Sequence, residues 1–485
     1  MTTMRYKKRG NKWYVYELHQ YWDKELKKPR QRTKYLGVAA EKNGPYSKPG
    51  RRTSDPVEQE ILDCGDTYAI NAVAQSIGLD HIIHESFGRL DSIMALLCFQ
   101  ITEGVAMYNC SDWFEGNIAK KLFPKATTSS QDISRLIKIL GRAELQNSFF
   151  KKYIHQFFPN KRGILIDSTA LPSAINNSIN AFGYAGGGIE ENVSCLMLVD
   201  QKSHLPIYFR AVGGDIADVS TLKTTVSEIK QLGLATESAI LDAGFCSKEN
   251  LQFMCSEGIN FMTRLPKSHR IFHDFVNQAG DIENAANAVQ YGDRVVFMRS
   301  QKAVVYDHEI YVHVILDPSK KSKDTHCILK DQLSHSLTEK DQETLNSRMK
   351  TAGFFILLSR QEMTKNHILP GYYARQAIEQ VFGFAKSNNN ILPLRVHDAQ
   401  SIRGYIMLVF LALIIFITMR QRLKMPMDKV LLTLRSLKAK VYDNATIPQE
   451  PNKKIKDIFK SLNIIMPQTW EFRFKRMCMF FSVDA

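Results

Sequence analysis

The stretch at 372–386, YYARQAIEQVFGFAK, carries the most information about this chain. A helix turns by about 100° per residue, so four of its side chains fall within an arc of roughly 60°. These are Tyr372, Arg375, Glu379 and Lys386. A carboxylate can hold a divalent cation and the cations can hold phosphates, which indicates phosphoryl-transfer chemistry on a polyanion. The alternative is a solvated helix face, where i, i+4 ion pairs usually lie.

The net charge of +15 is concentrated at the two ends of the 485-residue chain. Residues 1–52 hold 15 Lys/Arg and 4 Asp/Glu, and residues 420–485 hold 14 Lys/Arg and 6 Asp/Glu. The residues between them are mildly acidic. Basic ends of this kind indicate contact with a nucleic acid backbone or an anionic membrane.

Neither the cysteines nor the apolar segments indicate a secreted or membrane protein. The eight cysteines show no C-x-x-C spacing, which is typical of reduced thiols in a cytosolic protein, and no signal peptide is expected. The run at 405–419, YIMLVFLALIIFITM, is shorter than the roughly 20 residues that span a bilayer. We therefore expect a buried core helix there, a cytoplasmic location and no membrane partner.

The charge of the chain and the spacing of its apolar residues predict four regions of an α/β protein. Residues 1–56 read as a basic β-rich module with a linker, and 57–158 as a helical region, either a DNA-reading helix-turn-helix or an ordinary bundle. Strands and helices alternate over 159–425, interrupted at 268–352 by a segment with strand-like runs. Residues 426–485 form a basic C-terminal region.

Two predicted strands lead into acidic residues that can meet at one edge of a mixed sheet. GILIDST (163–169) carries Asp167, and ESAILDAG (237–244) carries Asp242. Together with Glu379 they would repel one another unless cations neutralised them, and two Mg²⁺ ions about 3.5–4 Å apart would do so. The alternative is that each aspartate merely caps a turn at the end of its strand.

These residues resemble the signature of a known family. Asp167 in IDST, Asp242 in LDAGF and Glu379 within the spacing Y-x₂-R-x₃-E-x₆-K are similar to the DDE transposases of bacterial insertion sequences. The resemblance is to the Tyr-Arg-Glu-Lys subgroup and runs from about residue 160 to 420. It implies a catalytic core of the RNase-H-like, retroviral-integrase type, with a β-rich insertion at 268–352.

The resemblance also implies roles. Asp167, Asp242 and Glu379 would be catalytic and would ligate two Mg²⁺ ions, for which Mn²⁺ can substitute. Tyr372, Arg375 and Lys386 would contact DNA near the scissile phosphate. The partners would be double-stranded DNA, as element terminal repeats and target, and a second copy in a homodimeric synaptic complex. The location would be the bacterial cytoplasm, at the nucleoid when the protein is bound to DNA.

Two further basic residues are candidates for phosphate binding, and three other functions are alternatives to the transposase. Arg264 and Lys267, just past a core strand, can bind phosphate, but solvated basic residues are an equal alternative. A structure-specific nuclease on the same fold is one rival to the transposase. A non-catalytic DNA-binding relic is another, and a membrane-associated protein resting on 405–419 is the third.

Overall fold

The computed structural model describes residues 2–24, 27–48, 58–172, 180–185, 188–216, 218–333, 339–387, 398–423, 425–442, 445–466 and 469. The chain divides into two compact units, one of residues 1–60 with 441–445 and one of residues 61–440 with 446–485. The predicted linker at 44–56, the segment at 268–352 and the C-terminal region at 426–485 lie partly outside the described residues. The four-region division of the sequence stays a prediction.

The first unit contains an antiparallel sheet in the order β1-β2-β3-β4. Its strands are β1 (Thr2–Arg9), β2 (Lys12–Asp23), β3 (Lys28–Ala39) and β4 (Tyr46–Ser47). Aromatic residues suit such a pleated surface. The ring of Tyr35 on β3 lies 6.1 Å from that of Tyr14 and 5.3 Å from that of Tyr16 on β2, between ring centroids. Aromatic rings of these two neighbouring strands therefore pack on one another.

Helices account for most of the chain between the first unit and the large sheet. The helices of the described chain are α1 (Gly65–Ser76), α2 (Leu79–Phe87), α3 (Leu90–Glu103), α4 (Cys110–Glu115), α5 (Ala119–Leu122), α6 (Ser130–Leu140), α7 (Ala143–Phe157), α8 (Asp218–Gln231), α9 (Lys248–Ser256), α10 (Arg270–Ala279), α11 (Pro318–Leu333), α12 (Glu339–Lys350), α13 (Lys365–Tyr373), α14 (Gln376–Ser387), α15 (Ala399–Arg422), α16 (Met427–Arg435) and α17 (Lys453–Ser461). Ser129 caps α6, because its hydroxyl oxygen accepts a hydrogen bond from the Asp132 backbone N–H at 3.2 Å.

The apolar helix α15 is the centre of the helical packing. Its residues from Ile406 to Met419 are all buried, which confirms the predicted core helix. By length and composition α15 could cross a membrane, but 89% of its most apolar window is buried inside the chain. Its backbone packs directly on α6, since a side-chain carbon at Gly404 would overlap the carbonyl of Ile137 and one at Gly141 would overlap that of Gln400. Glycine therefore sets the distance between these helices.

Replacing Gly404 with Ala should lower the free energy of unfolding by about 1–3 kcal/mol or more, because the two helices must separate. Gly383 on α14 offers a matched control, since within the described part of the chain no atom beyond its own helix backbone lies within 4 Å of a side-chain carbon built there. Gly383→Ala should instead be neutral or stabilising by up to about 1 kcal/mol. Chemical denaturation of both variants measures the difference. Equal effects would show that α6 and α15 are not packed as described.

The second unit contains a large mixed sheet in the order β12-β13-β14-β15-β11-β10-β6-β8-β7, with β9 paired to β8. The strands that follow β4 are β5 (Glu58–Asp63), β6 (Arg162–Pro172), β7 (Ala181–Ala185), β8 (Gly188–Asp200), β9 (Pro206–Gly213), β10 (Thr236–Leu241), β11 (Asn260–Leu265), β12 (Ala288–Tyr291), β13 (Arg294–Val305), β14 (His308–Leu316), β15 (Phe354–Ser359), β16 (Lys438–Tyr442) and β17 (Thr446–Pro448). Strand β10 is parallel to β6 and β11, and the other pairings along this path are antiparallel. The predicted mixed α/β sheet is therefore confirmed.

The segment at 268–352 combines strands with helices. Its strands β12, β13 and β14 form one edge of the large sheet, and its helices are α10, α11 and α12. Its assignment as a β-rich insertion stays a prediction, since periodicity identifies strands such as β13 and β14 but does not show which sheet they join. Pairing of β14 with β15, which lies outside the segment, decides this.

A buried histidine links three neighbouring strands of that edge. His313 on β14 is hydrogen bonded through Nδ1 to Ser300 Oγ at 2.8 Å and through Nε2 to Ser359 Oγ at 3.0 Å. The Ser359 hydroxyl donates its own proton to the Gln361 carbonyl at 2.7 Å, so it must accept from Nε2–H. Burial lowers the pKa of His313 from 6.5 to about 4, so at neutral pH the imidazole is uncharged and its Nδ1 accepts from Ser300.

Acid should destabilise the fold through His313. A lowered pKa means that the unfolded chain binds the proton more readily, so this contribution is fully present above about pH 6.5 and is lost between there and about pH 4. The loss amounts to about 3 kcal/mol. His313→Gln cannot take up the proton, so its melting temperature should fall less on acidification than that of the unmodified chain. The exposed His326→Gln is the control, and parallel melting curves for all three proteins would contradict the assignment.

Candidate active site

The register of the two parallel strands brings the predicted aspartates together. Ile166 on β6 is paired with Leu241 at the end of β10. Asp167 follows Ile166 and Asp242 follows Leu241, so the two carboxylates project from neighbouring positions. Asp167 lies within β6, which continues to Pro172, whereas Asp242 lies just past β10 at the start of a 3-10 turn. The expectation that the two acids share one edge of the sheet is confirmed.

The third carboxylate lies on a helix that the sequence analysis placed incorrectly. The stretch at 372–386 is not one continuous helix, because α13 ends at Tyr373 and α14 begins at Gln376. Around the junction the backbone N–H groups of Arg375, Ala377 and Ile378 donate to carbonyls three residues back. Such 3-10 turns advance about 120° per residue rather than 100°, so the helical wheel does not hold across the junction.

Arg375, at this junction, joins two of the three carboxylates. Its Nη1 lies 2.5 Å from Asp242 Oδ1, and its Nη2 donates to Glu379 Oε1 at 3.0 Å. The Arg375 side chain is 16% exposed, while those of Asp242 and Glu379 are 40% and 53% exposed. One guanidinium therefore bridges Asp242, beside the end of the sheet, and Glu379, on α14. Glu379 is thus linked to Asp242 through a shared cation.

The electrostatic environment distinguishes Asp167 from the other two acids. The pKa of Asp167 is raised to about 6. Burial is the largest cause and the negative charges of Asp242 and Glu379 add to it, while Arg375 acts in the opposite direction. The backbone N–H of Ser168 donates to Asp167 Oδ1 at 2.9 Å. Burial alone would lower the pKa of Arg375, but Asp242 and the other acidic neighbours raise it overall. A buried carboxyl with a raised pKa next to a fixed cation is a frequent feature of functional sites.

Tyr372 does not lie on the exposed edge that the helical wheel predicted. Its side chain is 4% exposed, and the Arg375 guanidinium carbon lies 5.7 Å from the centre of its ring. A guanidinium over an aromatic face is attracted by the ring quadrupole. Burial also raises the pKa of Tyr372 to about 12, so the phenol stays protonated. In this structure the Tyr372 ring packs against the Arg375 guanidinium. The DNA contact of Tyr372 stays a prediction.

Lys386 lies farther along α14, beside a small cavity. Phe382 and Ala385 line this cavity together with Leu171 on β6, so α14 packs its apolar face on that strand. Burial lowers the pKa of Lys386, with Cys195 nearby acting in the opposite direction. Lys386 is thus held next to β6, the strand that carries Asp167, but among the described residues no ion pair joins it to the three acids.

The two cations after the core strand differ in their surroundings. The Arg264 guanidinium carbon on β11 lies 5.6 Å from the centre of the Phe355 ring, and its charge lowers the pKa of Tyr372. It therefore belongs to the neighbourhood of the acidic site. Lys267 instead donates to the Thr351 carbonyl at 3.2 Å and lies 3.7 Å from Asp324 Oδ2. These contacts hold Lys267 against another part of the second unit.

Thr263 is a supporting residue that the sequence analysis missed. It is fully buried on β11, and its hydroxyl donates to the backbone carbonyl of Asp242 at 3.2 Å. Parallel pairing places Thr263 beside Leu241, the residue before Asp242. The sequence shows a threonine in this apolar strand, but only the parallel register shows that the Thr263 hydroxyl reaches the turn at Asp242.

The side chains can be tested for their fit to metal ions. Carboxylate oxygens are the ligands that Mg²⁺ prefers. Within the described ranges, however, no group of three or more His, Cys, Asp or Glu residues lies close enough together to hold a metal ion. The donor types fit the predicted ions, whereas the arrangement, with Arg375 between Asp242 and Glu379, does not.

Comparison with known proteins gives a family for the chain. No curated protein matches it. Seven solved chains match, among them one in a structure titled "Cryo-EM structure of piggyBac transposase synaptic complex with hairpin DNA (SNHP)". That similarity has a TM-score of 0.41 and 11% sequence identity, and it covers 71% of this chain and 70% of the other.

The sequence profile of the family described as "Transposase DDE domain" matches residues 159–415. This range contains β6 to β15, α8 to α14 and most of α15, and it includes Asp167, Asp242 and Glu379. The match extends over more than half of the 485 residues, and the chain therefore belongs to the family of transposases with a DDE domain.

Proposed function

We propose that this chain is a transposase that cuts DNA at the ends of its own mobile element and joins the freed ends to target DNA. The observation that carries the proposal is the acidic site itself. Asp167 lies in β6, Asp242 follows the neighbouring parallel strand β10, and Arg375 pairs with both Asp242 and Glu379, all within the transposase DDE domain. We also propose an RNase-H-like core and membership of the Tyr-Arg-Glu-Lys subgroup of bacterial insertion sequences.

The reaction consists of two successive exchanges at phosphorus. In the first, a water oxygen bonds to phosphorus, the P–O3′ bond breaks, and the element end is left with a 3′-hydroxyl. In the second, that hydroxyl attacks a phosphodiester of the target, and the new bond replaces one target P–O bond. Each step needs an acceptor for the proton of the attacking oxygen and a proton for the leaving 3′ oxygen, and Asp167, Asp242 and Glu379 are the groups we assign to this proton transfer.

Divalent cations are part of the proposal. In the arrangement described, Arg375 takes the place of a metal ion between Asp242 and Glu379. Mg²⁺, with Mn²⁺ as a substitute, would supply charge neutralisation at the reacting oxygens when bound. The residues we expect to hold two such ions are Asp167, Asp242 and Glu379. For this to occur, the bridge from Arg375 to Asp242 and Glu379 must open.

Basic groups would hold the DNA backbone. Arg375, Arg264 and Lys386 lie on elements around the three acids and are proposed to contact phosphates close to the reaction. The same role is proposed for Lys267 and Tyr372. Double-stranded DNA is the proposed partner, as terminal repeats and as target, and a homodimer is the proposed synaptic form. The proposed location is the bacterial cytoplasm, at the nucleoid when DNA is bound.

A joining assay tests the proposed function. Labelled duplexes that carry the two element ends, taken from the inverted repeats flanking the gene, are incubated with the full chain, Mg²⁺ and a supercoiled plasmid. Cleavage at the repeat boundary followed by transfer of label to the plasmid is the expected result. Cleavage without transfer would instead identify a structure-specific nuclease. DNA binding without cleavage in either Mg²⁺ or Mn²⁺ would identify a non-catalytic relic.

A further inference from the structure

The bridge formed by Arg375 conflicts with the proposed metal site in a specific way. Its guanidinium takes up Asp242 Oδ1 and Glu379 Oε1, which are oxygens that a cation held by these residues would need. Glu379 Oε1 accepts a charge-assisted hydrogen bond and Asp242 Oδ1 is in ion-pair contact with the guanidinium, so neither oxygen is free to bind a second cation while the bridge is closed. Guanidinium and metal ion also repel one another as like charges. The two cations therefore compete for the same place.

The surroundings of Arg375 make the bridge a defined state rather than a chance surface contact. The side chain is only 16% exposed, and the ring of Tyr372 lies beneath it at 5.7 Å from the guanidinium carbon. The planar guanidinium presents its donors as a rigid fork, which suits two carboxylates from different elements. By contrast Asp242 and Glu379 are 40% and 53% exposed, so solvent ions and DNA can reach their outer sides.

We propose that Arg375 acts as an internal cation that occupies the acidic site in the DNA-free protein and excludes divalent metal ions from it. A DNA phosphate offers the guanidinium a second anionic partner with the same fork geometry. When Arg375 turns to that phosphate, Asp242 and Glu379 are released for metal ions. The inference rests on the proposed function, because it takes DNA and divalent ions as the ligands of this site.

Coupling between DNA and metal follows from this exchange. If DNA removes Arg375 from the carboxylates and so raises metal affinity, then metal must raise DNA affinity by the same factor. Such couplings are typically about 5- to 150-fold. A transposase arranged in this way would assemble its reactive centre only on DNA, which would limit hydrolysis of stray phosphodiesters by the free protein.

Mn²⁺ titration of the full chain by calorimetry tests the exclusion without relying on activity. Arg375→Gln keeps an amide donor but removes the charge, so it should bind Mn²⁺ at least about tenfold more tightly than the unmodified chain. Lys302→Gln is the matched control, because it frees Glu309 from an ion pair of 2.7 Å in an exposed part of β13 and β14. Its Mn²⁺ affinity should equal that of the unmodified chain.

A second titration contains a short mixed-sequence DNA duplex with phosphorothioate linkages, which resist cleavage. The duplex should raise the Mn²⁺ affinity of the unmodified chain and leave that of Arg375→Gln nearly unchanged. If Arg375→Gln does not fold, as judged by its melting curve, Arg375→Lys replaces it. A lysine cannot bridge both carboxylates with a fork, so its Mn²⁺ affinity should lie between those of the other proteins.

The outcomes separate this inference from the proposed function. Tight Mn²⁺ binding by the unmodified chain that is not improved in Arg375→Gln, together with normal cleavage and joining, overturns the exclusion by Arg375 and leaves the transposase intact. No Mn²⁺ binding by any of the proteins, with or without DNA, overturns both. Weaker Mn²⁺ binding by Arg375→Gln than by the unmodified chain would show that Arg375 helps to build the metal site instead.

Discussion

Asp167→Asn, Asp242→Asn and Glu379→Gln should each lower the rate of DNA cleavage at least about a thousandfold, because residues that act as one catalytic unit fail together. Each change removes a charge but almost no volume, so the loss is not expected to come from unfolding. Cleavage of labelled element ends in Mg²⁺ measures the effect, with melting curves run in parallel. Asp307→Asn, whose side chain is 77% exposed, is the control and should cleave normally.

The melting curve of Asp167→Asn makes this prediction sharper. Since the folded chain raises the pKa of Asp167 from 3.8 to about 6, the carboxyl is easier to bury protonated than ionised. Its contribution to stability is fully present below about pH 3.8 and is lost as the pH rises through about 6, a change of up to about 3 kcal/mol. Asparagine stays neutral throughout.

At neutral pH the Asp167→Asn variant should therefore melt at the same temperature as the unmodified chain or higher, while it no longer cleaves. Near wild-type cleavage by any one of the three variants would remove that residue from the proposed catalytic set. A lower melting temperature for Asp167→Asn would show that its ionised form is needed by the fold, through Arg375, rather than by the reaction.

Neutralising Lys28, Arg32 and Lys34 together should weaken DNA binding by about 100-fold at roughly 0.15 M salt, if each contacts one phosphate. These residues are exposed along β3 in the first unit. Each lost contact removes about 0.9 from the slope of log affinity against log salt, so the slope should flatten by up to about 2.7. Binding of a labelled duplex over a salt series, measured by fluorescence anisotropy, gives both quantities.

The control for this experiment removes the same charge from the second unit. Lys302, Lys323 and Lys330 are exposed on β13 and α11, and their replacement by Gln should change the slope less. An unchanged slope in the β3 variant would mean that this strand does not contact DNA. Equal slopes in both variants would mean that the protein responds only to its net charge, which is non-specific attraction rather than a defined contact.

Several elements could be predicted from the sequence because their signals are local. The apolar run at 405–419 identified the buried part of α15. The apolar strands before Asp167 and Asp242 were recognisable from composition, and both acids were placed at the same sheet edge on that basis. In each case residues within a few positions of one another decide the structure, so a short window of sequence is sufficient.

The sequence interpretation was wrong where a tertiary contact changes the local backbone geometry that the interpretation assumed. A regular wheel from Tyr372 to Lys386 assumes that one helix continues through Arg375, but the chain tightens there into 3-10 turns while Arg375 pairs with Asp242. Tyr372 is buried as a consequence. The strands β13 and β14 were visible, yet their membership of the large sheet depends on pairing with β15, and this could not be predicted from their composition.

The sequence by itself determined the residue types of the site: three carboxylates, one guanidinium and the strands that lead to two of the acids. Only the tertiary structure decided that Arg375 lies against Asp242, and that Thr263 supports the turn at Asp242. The physical reason is that these contacts join residues far apart in the chain. Their geometry follows from parallel strand register and helix packing, which no local pattern encodes.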